Sequence, residues 1–342
     1  MKRKKRIRIL ILVVIILVAP CFYFMPFYIS KPGMAKELEP IIEVEDGYTE
    51  EGSFMLTTVR MGRANIYSYL IAKFSPYQEI YPIDQIRSED ETEEEYMVRQ
   101  LHLMDSSKIN AIEVAYRKAG LPVNYEYKGV YVLHVVPGMP AEKKLEPADR
   151  IFEVDGNDFH TSSEFMDYIS QKSTGEELVL TFERKSKVYQ TSLKLDQFND
   201  GENKGKVGIG IGLVDDKELI VEPHVTVNSK EIGGPSAGFM FSLEIYNQLM
   251  KEDLTKGYNI AGTGTISSNG EVGEIGGIHQ KVIAADKAGA EIFLAPNQNG
   301  AKDSNYRVAL KTAKDIKTDM KIIPVDNFDG AVSYLENLKP KK

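Results

Sequence analysis

The chain has 342 residues, of which 42% are hydrophobic and 27% are charged, and this length predicts two or three domains with hydrophobic cores. Its net charge of −8 argues against nucleic-acid binding, because no lysine and arginine cluster occurs beyond the first eight residues. A single cysteine, Cys21, excludes an intrachain disulfide and a Cys-x-x-Cys metal site. The five histidines lack the spacing of metal ligands, so we expect neither a metal nor a cofactor.

The N-terminus combines a basic cluster at residues 2–8 with an apolar run. Ile9–Ser30 contains no charged residue over 22 positions. About twenty such residues span a bilayer as a helix, and a flanking basic cluster stays on the cytoplasmic side. The pattern predicts a cytoplasmic tip and a transmembrane signal anchor over residues 1–30. Everything after residue 31 is then expected outside the cytoplasm.

Two other N-terminal signals compete with the anchor. A cleaved signal peptide needs small residues at positions −3 and −1 of its cleavage site, and no such pattern surrounds Ala19-Pro20. A lipoprotein would use Cys21, but Val18-Ala19-Pro20 is a poor match to the residues that precede a lipidated cysteine. The signal anchor is therefore favoured, with Pro20 expected to kink the helix or to mark its outer third.

Residues 31–112 show no catalytic motif, and we interpret them as an extracytoplasmic accessory region. Ser53–Val59 is strand-like, and the apolar and aromatic run Ile66–Ile71 is most simply core packing. The acidic run Glu89–Glu95 is typical of a solvated loop or helix start, with a binding role as the alternative.

Residues 113–198 have the order of elements of a small β-rich domain. The predicted order is strand, Pro/Gly turn, short polar helix, strand, Asp-Gly turn, longer helix and two further strands. The segments are Gly129–Ala141, Asp149–Gly156, Ser162–Lys172, Glu177–Phe182 and Tyr189–Leu195. This order resembles a PDZ domain of the type found in bacterial proteases.

The PDZ resemblance implies a peptide-binding site. The carboxylate-binding loop would lie at Gly120, Leu121 and Val123, and the strand after it would pair with an extended peptide. The usual Gly-Leu-Gly-Phe form is absent there, so recognition of a terminal carboxylate stays open. A structural β domain that binds nothing is the alternative.

Two glycine-rich segments carry a serine and a lysine that are candidate catalytic residues. Ser236 lies within Gly233–Gly238, and Lys281 follows Gly276–Gln280. Serine becomes a good nucleophile only when a base removes its proton, and a desolvated lysine amine can be that base. The glycines let a substrate backbone approach, and free N–H groups there can hold an oxyanion. Taken alone, the first segment also fits a helix N-cap at Ser236.

The context of both residues resembles the proteolytic domain of Lon-type proteases. The resemblance runs from about Val207 to the C-terminus and rests on Val225–Asn228, Gly233–Gly238, Thr263–Ser267, Gly270–Val272 and Ile275–Lys281. It implies that Ser236 is the nucleophile and Lys281 the base, with Thr263, Gly234 and Pro235 in supporting positions.

One departure concerns the residues before the Pro-Ser pair. Lon proteases commonly have Lys-Asp-Gly there, whereas this chain has Ile232-Gly233-Gly234, which puts in doubt any regulatory role of that aspartate. His224 and His279 also permit a Ser–His interpretation, but the resemblance favours the lysine.

The predicted fold is an α/β (α+β) Lon-type proteolytic domain over residues 205–342 and a mainly-β PDZ domain over 113–198, with an N-terminal transmembrane helix. The arrangement resembles the membrane-anchored PDZ/Lon-like serine proteases of Gram-positive bacteria. The sequence has no GxxxxGK[ST] motif, and Gly201–Lys206 is one residue short of it. We therefore expect a serine endopeptidase that works without ATP.

The expected partners are the membrane and peptide or protein substrates outside the cytoplasm. By analogy with Lon domains, which tend to form rings, further copies of the chain in a hexamer are expected too. Two alternatives stay open: a PDZ-type adaptor with an inactive protease domain, and a Ser–Lys amidase or signal-peptidase-like enzyme.

Overall fold

A computed structural model of the protein describes residues 2–87, 91–199, 203–229 and 232–341. Two segments that the sequence singled out include residues outside these ranges. Glu89 and Asp90 of the acidic run lie outside the described residues, and so do Gly201 and Glu202 of the segment that approaches a phosphate-binding motif.

Eight α-helices occur within these ranges. They are α1 (Lys2–Phe22), α2 (Ile66–Phe74), α3 (Glu93–Lys118), α4 (Ser162–Ser170), α5 (Gly238–Leu249), α6 (Ile278–Lys287), α7 (Asn305–Ile316) and α8 (Phe328–Glu336). Side-chain caps explain where several begin. Thr92 caps α3 and pairs reciprocally with Glu95, so the end of the acidic run is a helix start.

The strands of the same ranges form two large sheets and three small ones. They are β1 (Phe24–Glu37), β2 (Ile42–Val44), β3 (Ser53–Asn65), β4 (Glu79–Pro82), β5 (Val123–Val135), β6 (Arg150–Val154), β7 (Asn157–Asp158), β8 (Glu177–Arg184), β9 (Lys187–Lys194), β10 (Asp196–Gln197), β11 (Val207–Gly208), β12 (Ile211–Val221), β13 (Val225–Val227), β14 (Asn259–Gly262), β15 (Thr265–Ile266), β16 (Val272–Gly273), β17 (Ile292–Pro296) and β18 (Lys321–Val325).

The first large sheet has the order β18-β17-β14-β3-β1-β4. Its strands β3, β14, β17 and β18 run parallel, whereas β1 is antiparallel to both of its neighbours. Three of its strands come from residues 24–82 and three from residues 259–325. The region 31–112, interpreted from the sequence as an accessory region, therefore shares one sheet with the region 205–342.

Helices cover both faces of this sheet. In β3, Phe54 and Leu56 pack with α3, α5 and α8 on one face, whereas Met55 between them packs with α6 and α7 on the other. Side chains alternate across a strand, so a strand covered on both faces is apolar at successive positions. All five residues of Ile292–Pro296 are buried in this way. The result is a three-layer α/β/α domain.

The second large sheet is antiparallel, has the order β12-β5-β6-β8-β9, and forms a smaller domain. Helix α4 closes its core, where Phe165 and Ile169 pack against Leu178 and Leu180. β5 enters this domain and β12 leaves it, and the two strands pair along most of their length. The smaller domain is therefore inserted into the chain of the larger one, between α3 and β13. The predicted combination of an α/β domain with a mainly-β domain is confirmed.

The helix expected over Ile9–Ser30 ends earlier than the sequence predicted. α1 stops at Phe22, and Phe24–Ser30 belongs to β1, which pairs with β3 and β4. Pro26 would remove a helical hydrogen bond, and Tyr28, Ile29 and Ser30 become buried in the sheet instead. Among the helices of residues 2–87, 91–199, 203–229 and 232–341, none is long and apolar enough to cross a membrane.

Candidate active site

Ser236 lies on a tight turn that leads into α5. Gly234 has φ +80°, a conformation that other residues rarely adopt, and Pro235–Ala237 forms one turn of 3₁₀ helix before α5 begins. Pro235 suits the first position because the N–H it lacks would have no helical partner. Ser236 is thereby placed at the amino-terminal end of a buried helix, where backbone N–H groups have no partner within the helix.

Helix α3 holds this turn in place. Ser107 Oγ donates a hydrogen bond to the carbonyl oxygen of Pro235 at 2.9 Å, and Asn110 Nδ2 donates to the carbonyl oxygen of Ile266 at 3.0 Å. α3 and α5 touch at Gly238, where a Cβ atom would lie only 2.1 Å from Ser107 Oγ. The close approach of the two helices therefore requires glycine at that position.

Lys281 reaches Ser236 from the first turn of α6. Its side chain is 2% exposed, and its Nζ lies 2.7 Å from Ser236 Oγ. Nζ also lies 2.9 Å from Thr263 Oγ1 and 3.0 Å from the carbonyl oxygen of Thr57. The structure thus brings together Ser236, Lys281 and Thr263, which the sequence singled out, and adds the backbone of Thr57.

A neutral amine has two N–H donors and one lone pair, and the three hydrogen-bond partners of Lys281 suit these three groups. The carbonyl oxygen of Thr57 can only accept, and Thr263 Oγ1 donates its own proton to the carbonyl oxygen of Ser236 at 2.9 Å. Both therefore accept the two N–H groups of the amine. The lone pair of the neutral amine is then free to accept the hydroxyl proton of Ser236, whose Oγ lies 2.7 Å away, and this is the arrangement of a base beside its nucleophile.

Burial favours this neutral state. It lowers the pKa of Lys281 from 10.5 to about 7, because an ammonium loses its hydration in the interior. Uncharged hydroxyl and carbonyl groups surround the amine, and they do not restore the charged form as a carboxylate would. A substantial fraction of Lys281 is then unprotonated near neutral pH, unlike an ordinary lysine.

Three further residues of the site were not predicted from the sequence. Thr57 contributes a backbone atom, for which no side-chain pattern exists. Ser107 lies 128 positions from Pro235, and its only sequence signal is a polar residue on the buried face of α3 between Met104 and Ala111. Gln280 is fully buried beside Lys281, and its Oε1 accepts from Ser30 Oγ at 2.6 Å, which fixes α6 against β1.

Gly120, Leu121 and Val123 lie at the connection between α3 and β5. Gly120, with φ +75°, follows the end of α3, and the N–H of Leu121 donates to the carbonyl oxygen of Tyr116 at 2.9 Å. Leu121 and Val123 pack against the core of the larger domain. Gly120 is exposed and the two apolar side chains are partly buried, and the assignment of these residues to a carboxylate-binding loop stays a prediction.

The two histidines near the candidate dyad have other partners. His279 Nε2 lies 3.7 Å from Glu79 Oε1, and His224 lines a groove between α3 and the smaller domain. Lys281, and neither of these histidines, is the side chain that hydrogen-bonds to Ser236 Oγ. Within the part of the chain that the structure describes, no group of three or more His, Cys, Asp or Glu side chains is placed to hold a metal ion.

Two protein families match separate parts of the chain. Residues 113–195 match the PDZ domain, and residues 203–336 match the Lon protease (S16) C-terminal proteolytic domain. The chain therefore carries a PDZ domain together with a Lon-type proteolytic domain, which is a serine peptidase domain.

Individual proteins are similar to parts of the chain. The chain is 30% identical over 132 residues to the Lon protease of Metamycoplasma arthritidis, covering 39% of this chain and 15% of that protein. It is 38% identical over 109 residues to the Lon protease of Campylobacter concisus, covering 32% and 13%. The matched segment thus spans less than a fifth of the length of these relatives. The solved PDZ domain of an SdrC-like protein from Listeria monocytogenes is 41% identical, covers 26% of this chain and 90% of that chain, and has a TM-score of 0.24.

The neutral state of the Lys281 amine leads to a prediction for the variant Lys281→Arg. Guanidinium stays charged at any usable pH, so this variant should lose as much peptidase activity as Lys281→Ala, at least about a hundredfold in kcat/KM. Because the unprotonated amine is the active form, wild-type kcat/KM should rise with pH through about 7 and fall as pH drops below it. Lys287→Arg, at an exposed position of the same helix, is the matched control. Activity retained in Lys281→Arg would identify another group as the base.

Proposed function

We propose that this chain, which joins a PDZ domain to a Lon-type serine peptidase domain, is a serine endopeptidase that cleaves peptides and exposed protein segments without ATP. The observation that carries the proposal is the 2.7 Å separation of Lys281 Nζ and Ser236 Oγ within a buried, uncharged surround. This geometry suits acyl transfer, in which a serine oxygen must be freed of its proton as it attacks a carbonyl carbon.

The reaction then proceeds in two halves. Lys281 Nζ takes the hydroxyl proton while Ser236 Oγ bonds to the scissile carbonyl carbon, and the resulting oxyanion lies near the amino-terminal end of α5. When the C–N bond breaks, Lys281 passes the proton to the leaving amine, and Ser236 retains the acyl group as an ester. A water molecule then gives a proton to Lys281 as its oxygen attacks the ester carbon. When the bond from that carbon to Ser236 Oγ breaks, Lys281 returns the proton to the serine oxygen and the acid is released.

Three groups support these steps without reacting. The N–H of Ser236 and the dipole of α5 favour the negative charge that develops on the carbonyl oxygen. Thr263 links the two halves of the dyad, since its hydroxyl accepts from Lys281 and donates to the carbonyl oxygen of Ser236. Thr57 holds the second N–H of the amine, which keeps the lone pair aimed at the nucleophile.

Independence from ATP is supported by the sequence, which contains no GxxxxGK[ST] motif. Without an unfolding motor, a peptidase acts on chains that are already extended. We therefore infer that its substrates are peptides, loosely folded segments or exposed tails. An adaptor with an inactive protease domain is the weaker candidate, because both Ser236 and Lys281 are present and in contact.

Substrate selection is assigned to the PDZ domain, at a different place from the one the sequence suggested. Among the strands that the structure describes, β12 lies at the edge of its sheet beside β5. Helix α4 packs beside the first residues of β12 through Phe165 and Ile169. The Gly208-Ile209-Gly210 segment precedes β12, with Gly210 at φ +81°. An extended peptide can add to such an edge through main-chain hydrogen bonds.

Location is a separate proposal: α1 anchors the chain in a membrane, with the catalytic domain outside the cytoplasm. This proposal is supported by the exposure of the apolar side chains of α1. The large apolar side chains from Ile7 to Val18 are 44% to 64% exposed. Insertion into lipid would remove this surface from water. The basic residues at positions 2–8 favour a cytoplasmic N-terminus.

The peptidase proposal predicts the behaviour of Ser236→Ala. The wild-type protein should cleave an unstructured peptide that carries a fluorophore and a quencher, with the same rate in the presence and absence of ATP and Mg²⁺. Ser236→Ala should reduce this rate to background, because no other group supplies the nucleophile. Ser333→Ala, at an exposed position of α8, is the control and should match the wild type. Cleavage that persists in folded Ser236→Ala, or that requires ATP, would contradict the proposal.

The location proposal predicts the activity of a C-terminal reporter. Alkaline phosphatase, which is active only outside the cytoplasm, should be active when fused to the C-terminus. Replacing Leu12 and Ile16 by arginine should abolish this activity, because two charges in the lipid-facing helix oppose insertion. The anchor would be refuted if the phosphatase fusion is inactive while a reporter that fluoresces only in the cytoplasm is fluorescent at the same C-terminal position.

A further inference from the structure

Helix α2 presents large apolar side chains to solvent along one side. The sequence predicted core packing for the run Ile66–Ile71, and on one face of the helix Tyr69 and Ala72 do pack against β1 and β3. On the other face, four side chains at helical spacing are 36% to 83% exposed, and we call them the α2 stripe: Tyr67, Leu70, Ile71 and Phe74. Large exposed apolar patches mark surfaces that bind another protein or a membrane.

The α2 stripe begins in contact with α1. The hydroxyl group of Tyr67 donates a hydrogen bond to the carbonyl oxygen of Leu17 at 2.7 Å, and Asn65 Nδ2 donates to the carbonyl oxygen of Cys21 at 3.4 Å. Leu17 lies about one and a half turns before Phe22, the last residue of α1. The exposed apolar surface of α1 therefore continues onto α2 at Tyr67, beside the end of α1 that leads into the catalytic domain.

The charges around the stripe suit a lipid surface. From residue 60 to residue 74 the charged residues are all basic, and all three are exposed: Arg60, Arg63 and Lys73. The guanidinium carbon of Arg63 lies 5.6 Å from the ring centroid of Phe24, which is itself exposed. Helices that lie in a membrane surface combine an apolar face with basic residues, which approach anionic head groups. Aromatic side chains are enriched at the same level.

We propose that the α2 stripe inserts into the surface of the bilayer that holds α1, on the side of the catalytic domain, so that lipid covers Leu70, Ile71 and Phe74. Anchoring through α1 alone attaches the domain at one point, whereas α2 provides a second contact with the same bilayer. The proposal rests on the membrane anchoring proposed above for α1, and it adds which surface of the domain faces the lipid.

This contact would orient the active site relative to the membrane. The loop that follows α2 reaches α6, because Gln280 Nε2 donates to the carbonyl oxygen of Tyr77 at 3.3 Å. Gln280 also bonds to Ser30 of β1 through both its oxygen and its nitrogen. The next residue is Lys281. A continuous set of buried contacts thus connects the lipid-facing helix with the candidate catalytic lysine, and the active site keeps one orientation to the bilayer.

The first experiment uses tryptophan fluorescence, since the chain contains no tryptophan of its own. Full-length Phe74→Trp protein is reconstituted into vesicles of phosphatidylcholine and phosphatidylglycerol. Its emission should shift to shorter wavelength and should be quenched by lipids brominated on their acyl chains. Tyr189→Trp, at an exposed position of β9 in the PDZ domain, is the control and should show neither effect.

The depth of quenching separates α2 from the anchor. A surface helix buries its apolar face roughly 5–10 Å into the boundary between head groups and acyl chains. Bromine near the head-group end of the acyl chain should therefore quench Phe74→Trp more strongly than bromine near the methyl end. Leu12→Trp, in the middle of α1, should show the opposite order if α1 spans the bilayer.

A charge within the stripe should detach α2 from the lipid. Ile71→Asp, introduced into the Phe74→Trp protein, should abolish both the shift and the quenching, because a carboxylate opposes immersion in lipid. Val188→Asp, at an exposed apolar position of the PDZ domain, should leave both unchanged. Quenching of Leu12→Trp should persist in the presence of Ile71→Asp, since α1 stays inserted.

Failure of the anchor and failure of α2 docking give different results. Quenching of Leu12→Trp without quenching of Phe74→Trp would keep the anchor and overturn the docking of α2. If neither is quenched, both proposals are overturned. Quenching of Phe74→Trp alone would support lipid contact by α2 and remove the anchor. A blue shift of Phe74→Trp without quenching would show that protein, such as a second copy of the chain, covers the stripe, and it would overturn the docking too.

Discussion

The burial of an uncharged amine beside a serine hydroxyl is the constraint on which the rest of the site depends. Lys281 can act as a base only if its surroundings oppose protonation, and the site achieves this by excluding water and carboxylates from Nζ. The amine must nevertheless find hydrogen-bond partners, because an unpaired buried polar group is costly. One carbonyl group and two hydroxyl groups meet both demands, because they are uncharged and lie within hydrogen-bond distance of the amine.

This constraint explains why distant parts of the chain converge. Thr57 comes from β3, Thr263 follows β14, and Lys281 comes from α6, so the parallel pairing of β3 with β14 sets the positions of two of the three partners. Ser236 arrives from another direction, on a turn that α3 supports through Ser107. The region before the PDZ domain is thus part of the catalytic domain. The PDZ domain is inserted between α3 and the nucleophile turn, which places the edge strand β12 next to the helix that supports that turn.

The sequence was most informative where chemistry is encoded by neighbouring residues. Ser236, Lys281 and Thr263 lie in short glycine-rich segments whose residue types and order are specific, and all three meet in the structure. It was least informative where long-range pairing decides. Nothing local indicates that Thr57 pairs its strand with residues about 200 positions later, or that Phe24–Ser30 forms a strand and not the end of an apolar helix. The carboxylate-binding loop was predicted at Gly120, Leu121 and Val123 from the PDZ resemblance alone, because the usual Gly-Leu-Gly-Phe form is absent there.

A direct titration of Lys281 tests the central claim. The protein is produced with lysine labelled at Cε and Nζ, and each lysine signal is followed by NMR as pH increases, with the Lys281→Arg protein used to assign the signal that disappears. The structure predicts that this one signal titrates near pH 7, well below the other lysines. A Lys281 signal that titrates near 10.4, as in an unfolded peptide, would contradict the account, because the amine would then be protonated when the enzyme must act.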